Sequence, residues 1–278
     1  MALAQATLRQ PAYGSPSGKR KRTARLRRGL RDAAYTWGSV LAGLVLWQVI
    51  GVYVIHNSLF LATPTQALGA IGDLWRNGEL PRDMMVSGEE FIVGFVIASV
   101  LGIAVGLMTA SFHRVSLILT PWISGLYASP IIALAPLLIL WFGVGIWSKI
   151  AVVISLVVFP MIINTDAGIR TTDAQLVEAA RSFGATQWQI FTKVSLPGAL
   201  PLILAGLRLG VGRGLIGVVV GELAGSRAGI GFLINNASQV FSMPQLFAGV
   251  LVLATAGIVL TAAFQRLETV LVPWKNAP

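Results

Sequence analysis

The 278 residues contain no cysteine, which excludes disulfides, thiolate nucleophiles and thiolate metal ligands together. Histidine is almost absent, with two copies, His56 and His113. They fall on opposite sides of the membrane in the topology below, so no metal centre is indicated. Charge is scarce: Asp, Glu, Lys and Arg make up only 12% of the chain, about half of what a water-solvated domain carries. Acidic residues are the scarcest charges, 11 against 21 basic ones. A phosphate-cradling loop ending in Gly-Lys-Ser/Thr is also missing. The nearest run, Gly14-Ser-Pro-Ser-Gly-Lys19-Arg20, has the wrong spacing and no hydroxyl after its lysine. ATP hydrolysis by this chain is not expected, and no cofactor of its own is indicated.

What is present is apolar, and it comes in blocks. Hydrophobic residues make up 55% of the chain, and the mean hydropathy is +0.76. A helix needs about 20 apolar residues to cross a hydrocarbon core of about 30 Å. Six blocks are of that order: Tyr35–Ile55, Phe91–Ser111, Ser116–Phe142, Ile150–Thr165, Leu202–Leu223 and Leu246–Phe264. Barrel strands would be about half as long and would alternate in polarity. The expected fold is therefore all-α, a polytopic membrane protein with six transmembrane helices.

Basic residues orient it. Nine of the 21 precede the first span, from Arg9 to Arg31, which places the N-terminus in the cytoplasm. Six crossings return the C-terminus to the same side. Fifteen basic residues then lie inside and four outside (Arg76, Arg82, Lys149 and Arg227), while Arg208 and Arg213 fall within the fifth span. The expected organisation is a basic cytoplasmic tail over residues 1–34, a membrane domain over 35–273 and a short tail over 274–278. The net charge of +10 reads as a disordered topology anchor beside anionic lipid rather than a nucleic-acid site. A cleaved signal is not expected, because the span behind the leader is full length.

Between the first two spans, Thr63-Pro64 marks a helix start. Ala67, Leu68, Ile71, Leu74 and Trp75 then recur at helical spacing, predicting a short helix in the outer interface or packed on the bundle. Small residues stripe two spans: Gly94, Ala98, Gly102 and Gly106 in the second, and Gly206, Gly210, Gly214, Gly217 and Gly221 in the fifth. Such stripes allow close helix approach, within the chain or to a second copy. Pro121, Pro130 and Pro136 break the third span and Pro160 the fourth, as kinks or as lining of a transport path.

The most informative segment is the loop over residues 166–200. Thr172 or Asp173 can cap a helix over Ala174–Phe183 that Gly184 stops, and Thr186 can cap a second over Gln187–Val194 that Leu196-Pro197 ends. The pair would form a stiff cytoplasmic knob. Within it stand Glu178-Ala179-Ala180, Gly184 after three further residues, and Val194-Ser195-Leu196-Pro197 after nine more. This spacing resembles the EAA signature of ABC importer permeases, with Val194 in place of the usual Ile. Leu61-Ala-Thr-Pro64, Pro136-Leu-Leu-Ile-Leu-Trp-Phe-Gly143 and Ser182-Phe-Gly-Ala-Thr-Gln-Trp188 are similar to the nitrate/sulfonate/taurine/bicarbonate branch. One departure is plain: Ser87-Gly88-Glu89-Glu90 stands where that branch commonly has S-L-x-R.

The resemblance implies a type I importer fold and a bacterial inner-membrane location. It also implies two ATPase subunits carrying ATP and Mg, a second permease copy in a homodimer, and an extracytoplasmic binding protein delivering a small oxyanion or organic acid. Glu178, Ala179, Ala180, Arg181, Gly184 and Pro197 would couple to the ATPase. Pathway candidates are Pro130, Pro136, Arg213 and Glu222, since intramembrane charges are costly and mark function by default. Arg208 is expected to reach headgroups or the coupling loop. Lys149, Asn164 and Asp166 are expected to be boundary residues.

Overall fold

The computed structural model describes residues 18–273 apart from His56 and Ser58, with the backbone alone for residues 18–30, 32 and 33. Every regular element among the described residues is helical. The chain divides after His56 into two units. The first is helix α1 (Gly18–Val49), prolonged by a wider turn over Ile50–Ile55. Its stretch Ala34–Ile55 is long and apolar enough to cross a membrane. The helix begins inside the expected tail, where Lys, Arg, Ala and Leu, all good helix formers, predominate. Residues 1–17, 274–278 and His56, on which parts of the tail and histidine readings rest, lie outside the described residues.

The second unit runs α2 (Pro64–Arg76), α3 (Glu79–Ser111), α4 (His113–Ala128), α5 (Ala135–Phe142), α6 (Ile146–Arg170), α7 (Ala174–Ser182), α8 (Gln187–Ile190), α9 (Leu196–Leu223), α10 (Ile230–Gln239) and α11 (Met243–Leu271). Counting α1, five helical stretches can each cross a membrane, and a sixth crossing requires α4 and α5 to act together. The prolines behave unequally here. Pro121 stays inside α4, and Pro136 occupies the first turn of α5, where no amide donor is needed. Only Ser129-Pro130 breaks the chain, and the two halves meet at 85°. The third span, expected to be broken by all three prolines, is an elbow at Pro130 alone.

Helix α6 is the axis of the unit, packed along both α3 and α9. Phe91, Phe95, Val153, Val157, Met161 and Val211 form the buried core between them. The glycine stripes make that approach possible. A Cβ on Gly94 would lie 2.7 Å from Val153 Cβ, and one on Gly106 would lie 2.6 Å from Thr165 Cβ. On α9, Gly217 faces the Val153 Cα and Gly221 the Lys149 Cα. Both stripes therefore serve packing within the chain.

At the end bearing α10, a second core of Leu74, Leu80, Ile230, Leu233 and Ala248 gathers α2, α10 and α11. Helix α2 starts as its sequence predicts, with Thr63 and Gln66 capping each other reciprocally. It packs on the bundle through Ala67 and Leu74, leaving Leu68 and Trp75 exposed.

Candidate functional site

The loop beyond α6 builds its helices from local caps. Asp173 accepts from the Gln175 amide at 2.8 Å and starts α7. At the other end the Gly184 amide donates to Arg181 O at 2.9 Å and the Ala185 amide to Ala180 O at 3.0 Å. This is the paired closure of a glycine-stopped helix, and Gly184 has the left-handed φ of +79° that it demands. Thr186 and Gln189 then form a capping box at the start of α8. The sequence predicts that Leu196-Pro197 ends this second helix. Instead a wide turn over Phe191–Ser195 carries the chain into α9, with the Leu196 amide reaching back to Phe191 O. Pro197 sits in the first turn of α9, where its missing donor is harmless.

Helix α7 buries none of its residues. Glu178, Ala179 and Arg181 are exposed, Ala180 is half-buried, and Phe183 is 92% and Trp188 71% exposed. Exposed aromatics, small residues and charges of both signs thus share the open surface of helices that hold their own shape. At its base, Arg170 bonds Asp166 at 2.8 Å, Thr109 O at 2.9 Å and Ser116 Oγ at 3.0 Å. This joins the end of α6 to α3 and α4, a role that its place in a basic loop did not reveal.

The charges at depth separate into three environments. Arg208 pairs with Glu268 of α11 at 3.4 Å, rather than with headgroups or the α7 loop. Arg213 is exposed, with its guanidinium 6.0 Å from the Tyr127 ring centroid. Glu222, 1% exposed, lies inside a buried polar cluster with Glu90, Ser87, Asp83 and Lys149.

That cluster caps α10. The first amides of a helix have no partner within it; here two neighbouring helices, α3 and α9, supply them. Gly229 N donates to Asp83 Oδ1 at 2.9 Å, Ile230 N to Ser87 Oγ at 2.8 Å, and Gly231 N to Glu222 Oε2. Ser87 Oγ in turn donates to Glu222 Oε1 at 2.6 Å. Lys149, expected at a span boundary, is 5% exposed beneath Gly221. Asp83, Ser87 and Glu90 were not singled out as a site. Their spacing, one face of α3 over two turns, is the signal that finds them. Among the described residues no group of three His, Cys, Asp or Glu side chains could hold a metal.

Comparison with known proteins supplies the family. The model for binding-protein-dependent transport system inner membrane components matches residues 98–276. A permease protein named for aliphatic sulfonates transport, SsuC of Bacillus subtilis, is 34% identical over 97% of this chain and 99% of its own. The formylaminopyrimidine transport permease protein ThiX of Halalkalibacterium halodurans is 34% identical over 84% of this chain and 92% of its own. The taurine transport system permease protein TauC of Escherichia coli is 29% identical, over 88% and 90%. The MetNI methionine ABC transporter, solved in inward-facing conformations, shares the fold with a TM-score of 0.60 at 18% identity, over 69% of this chain and 95% of that one. Members act with separate ATPase subunits and a substrate-binding protein. With the helical bundle and the motif spacing, these matches establish that the chain belongs to the family of binding-protein-dependent transport system inner membrane components, the permease subunits of ATP-driven importers.

Proposed function

We propose that two identical copies of this chain form the conduit of an importer for a small sulfonate-like or carboxylate anion, with α7 docked into an ATPase subunit on the cytoplasmic side. The observation that carries the reading is the α7 surface: locally capped, with no residue fully buried, and bearing Glu178-Ala179-Ala180 between exposed Leu176 and Phe183. Ala179 and Ala180 permit close docking, Glu178 offers a carboxylate and Arg181 a guanidinium, and Gly184 fixes the direction in which the chain leaves. Pro197 begins the long helix that carries any displacement of the loop into the membrane.

Two copies are supported by what this chain leaves uncovered. Helix α4 buries no residue, and α9 exposes Leu209, Gly212, Arg213 and Ile216 along one face beside the buried glycine stripe. Tyr127, three residues before the Pro130 elbow whose second arm carries Pro136, meets that face at Arg213. ATP binding would favour one arrangement of the two copies over another, since equal affinity for both would shift nothing.

The lack of cysteine makes the orientation directly testable. In intact cells, a membrane-impermeant maleimide is expected to label Arg227→Cys and to spare Glu178→Cys until the cells are opened. Labelling of Glu178→Cys from outside would overturn the reading. Subunit count follows from the mass of the purified complex, expected to hold two permeases and two ATPases.

A further inference from the structure

We infer that Arg213, backed by Tyr127, is an anion-binding station at the centre of the conduit, taking the sulfonate or carboxylate group of the solute in passage. The inference rests on the permease reading above.

Position comes first. Arg213 lies ten residues before the end of α9 at Leu223, about 15 Å along the helix. That is half of a hydrocarbon core of about 30 Å, so the guanidinium sits near mid-depth. A charge there is costly unless it meets protein or water. Lipid is thus an unfavourable neighbour for this face of α9. Among the described residues, Arg213 makes no hydrogen bond and no ion pair, only the contact with Tyr127. Five residues earlier Arg208 has Glu268, so a partner was available to one arginine and withheld from the other.

A second copy of the chain cannot supply the missing charge at this depth. The acids of α3 all fall within its first twelve residues, Glu79 to Glu90. Those of α6, α9 and α11 are Asp166, Glu222 and Glu268, each near a helix end. Helices α4 and α5 carry none. No acidic residue therefore lies in the central turns of a span. Two copies would bring two uncompensated guanidinium groups to their shared cavity, and an anion between them would relieve both. Arginine suits the task, because its planar fork pairs two donors with two oxygens of a sulfonate or carboxylate. The Tyr127 ring holds the guanidinium by its face and leaves the donor edge free. The elbow begins three residues on at Pro130.

The test uses the assembled permease–ATPase complex in nanodiscs, with trifluoromethanesulfonate as the probe and trifluoroethanol as its neutral counterpart. Broadening of the fluorine resonance measures binding. Wild type is expected to broaden the sulfonate and spare the alcohol. Arg213→Gln should weaken binding about tenfold or more, the loss of a charge-assisted pair. Arg213→Lys, which keeps the charge but loses the fork, and Tyr127→Leu, which keeps the fork but loses its backing, should each fall between. Equal binding by wild type and Arg213→Gln, or equal broadening of the neutral probe, would overturn the inference. So would separation of the two copies in Arg213→Gln, which would make the residue a subunit contact. ATP-dependent uptake by the wild-type complex is measured alongside. Its absence would sink the permease reading itself, whereas normal uptake with unaltered anion binding in Arg213→Gln would sink this inference alone.

Discussion

The cluster around Glu222 and the loop around Glu178 are both built from helix caps, yet they are opposites. At the α10 end the caps are borrowed: Asp83 and Ser87 of α3 and Glu222 of α9 satisfy amides of a helix to which none belongs. In the α7 loop each cap is local, with Asp173 serving Gln175 and Thr186 serving Gln189. Borrowed caps weld separate helices, and the capping groups themselves, Asp83, Ser87 and Glu222, are buried and bonded. Local caps give a segment its own shape while leaving its faces open. The first arrangement holds the bundle together; the second leaves a surface free for a partner.

The largest effect should come from breaking the weld. Glu222→Ala strands the Gly231 amide and removes the acceptor of Ser87 Oγ in a buried site. We expect a loss of about 3 kcal/mol or more, seen as a lower melting temperature of the purified permease and poor recovery from the membrane. An unchanged melt would mean that water replaces the carboxylate, and that the site is not the closed clamp described.

Next in size is a substitution in the glycine stripe. A Cβ at Gly102 would collide with Met161 Cβ and stand 3.0 Å from Val158 O. Gly102→Val should therefore part α3 from α6 at about 1–3 kcal/mol. Gly88, with nothing near its Cβ position, is the control, and Gly88→Ala should melt like wild type. Equal melts for both variants would show that the stripe does not set the α3–α6 distance.

Which of these features the sequence disclosed depends on how far apart the interacting residues stand. Caps at i+2 or i+3, the Gly184 stop and the apolar blocks are local patterns, and they match the structure at Thr63, Asp173 and Thr186. The glycine stripes disclosed a close contact but not its partner. Pro130 was recognised as a break, but the 85° bend depends on what α5 packs against, chiefly Val152 and Leu156 of α6. Pro197 was misread because its environment, a wide turn reaching back to Phe191, is set by the helix that follows. The α10 clamp was hardest, since Ser87 and Glu222 are 135 residues apart. Its trace was the departure at Ser87-Gly88-Glu89-Glu90, where a charge stands that only a tertiary partner can justify.

The smallest stability change should accompany the most complete loss of function. Glu178 is exposed, and among the described residues nothing beyond its own helix binds its side chain. Glu178→Lys should leave the melt of the isolated permease within about 0.5 kcal/mol of wild type. If α7 is the ATPase contact, the reversed charge meets a surface formed for a carboxylate, and a like-charge contact at an interface costs several kcal/mol. ATP-driven uptake should then fall more than about tenfold, with the ATPase lost from the purified complex or no longer stimulated by loaded binding protein. Gly184→Val sharpens the point by another route. It leaves Glu178 in place but forces a β-branched residue to φ +79°, misdirecting the chain at about 1–2 kcal/mol. Coupling lost in both variants, with insertion intact, requires that the surface and its orientation both matter. Full uptake in Glu178→Lys would instead leave α7 as an ordinary exposed helix, and the contrast with the Glu222 weld would then carry no functional meaning.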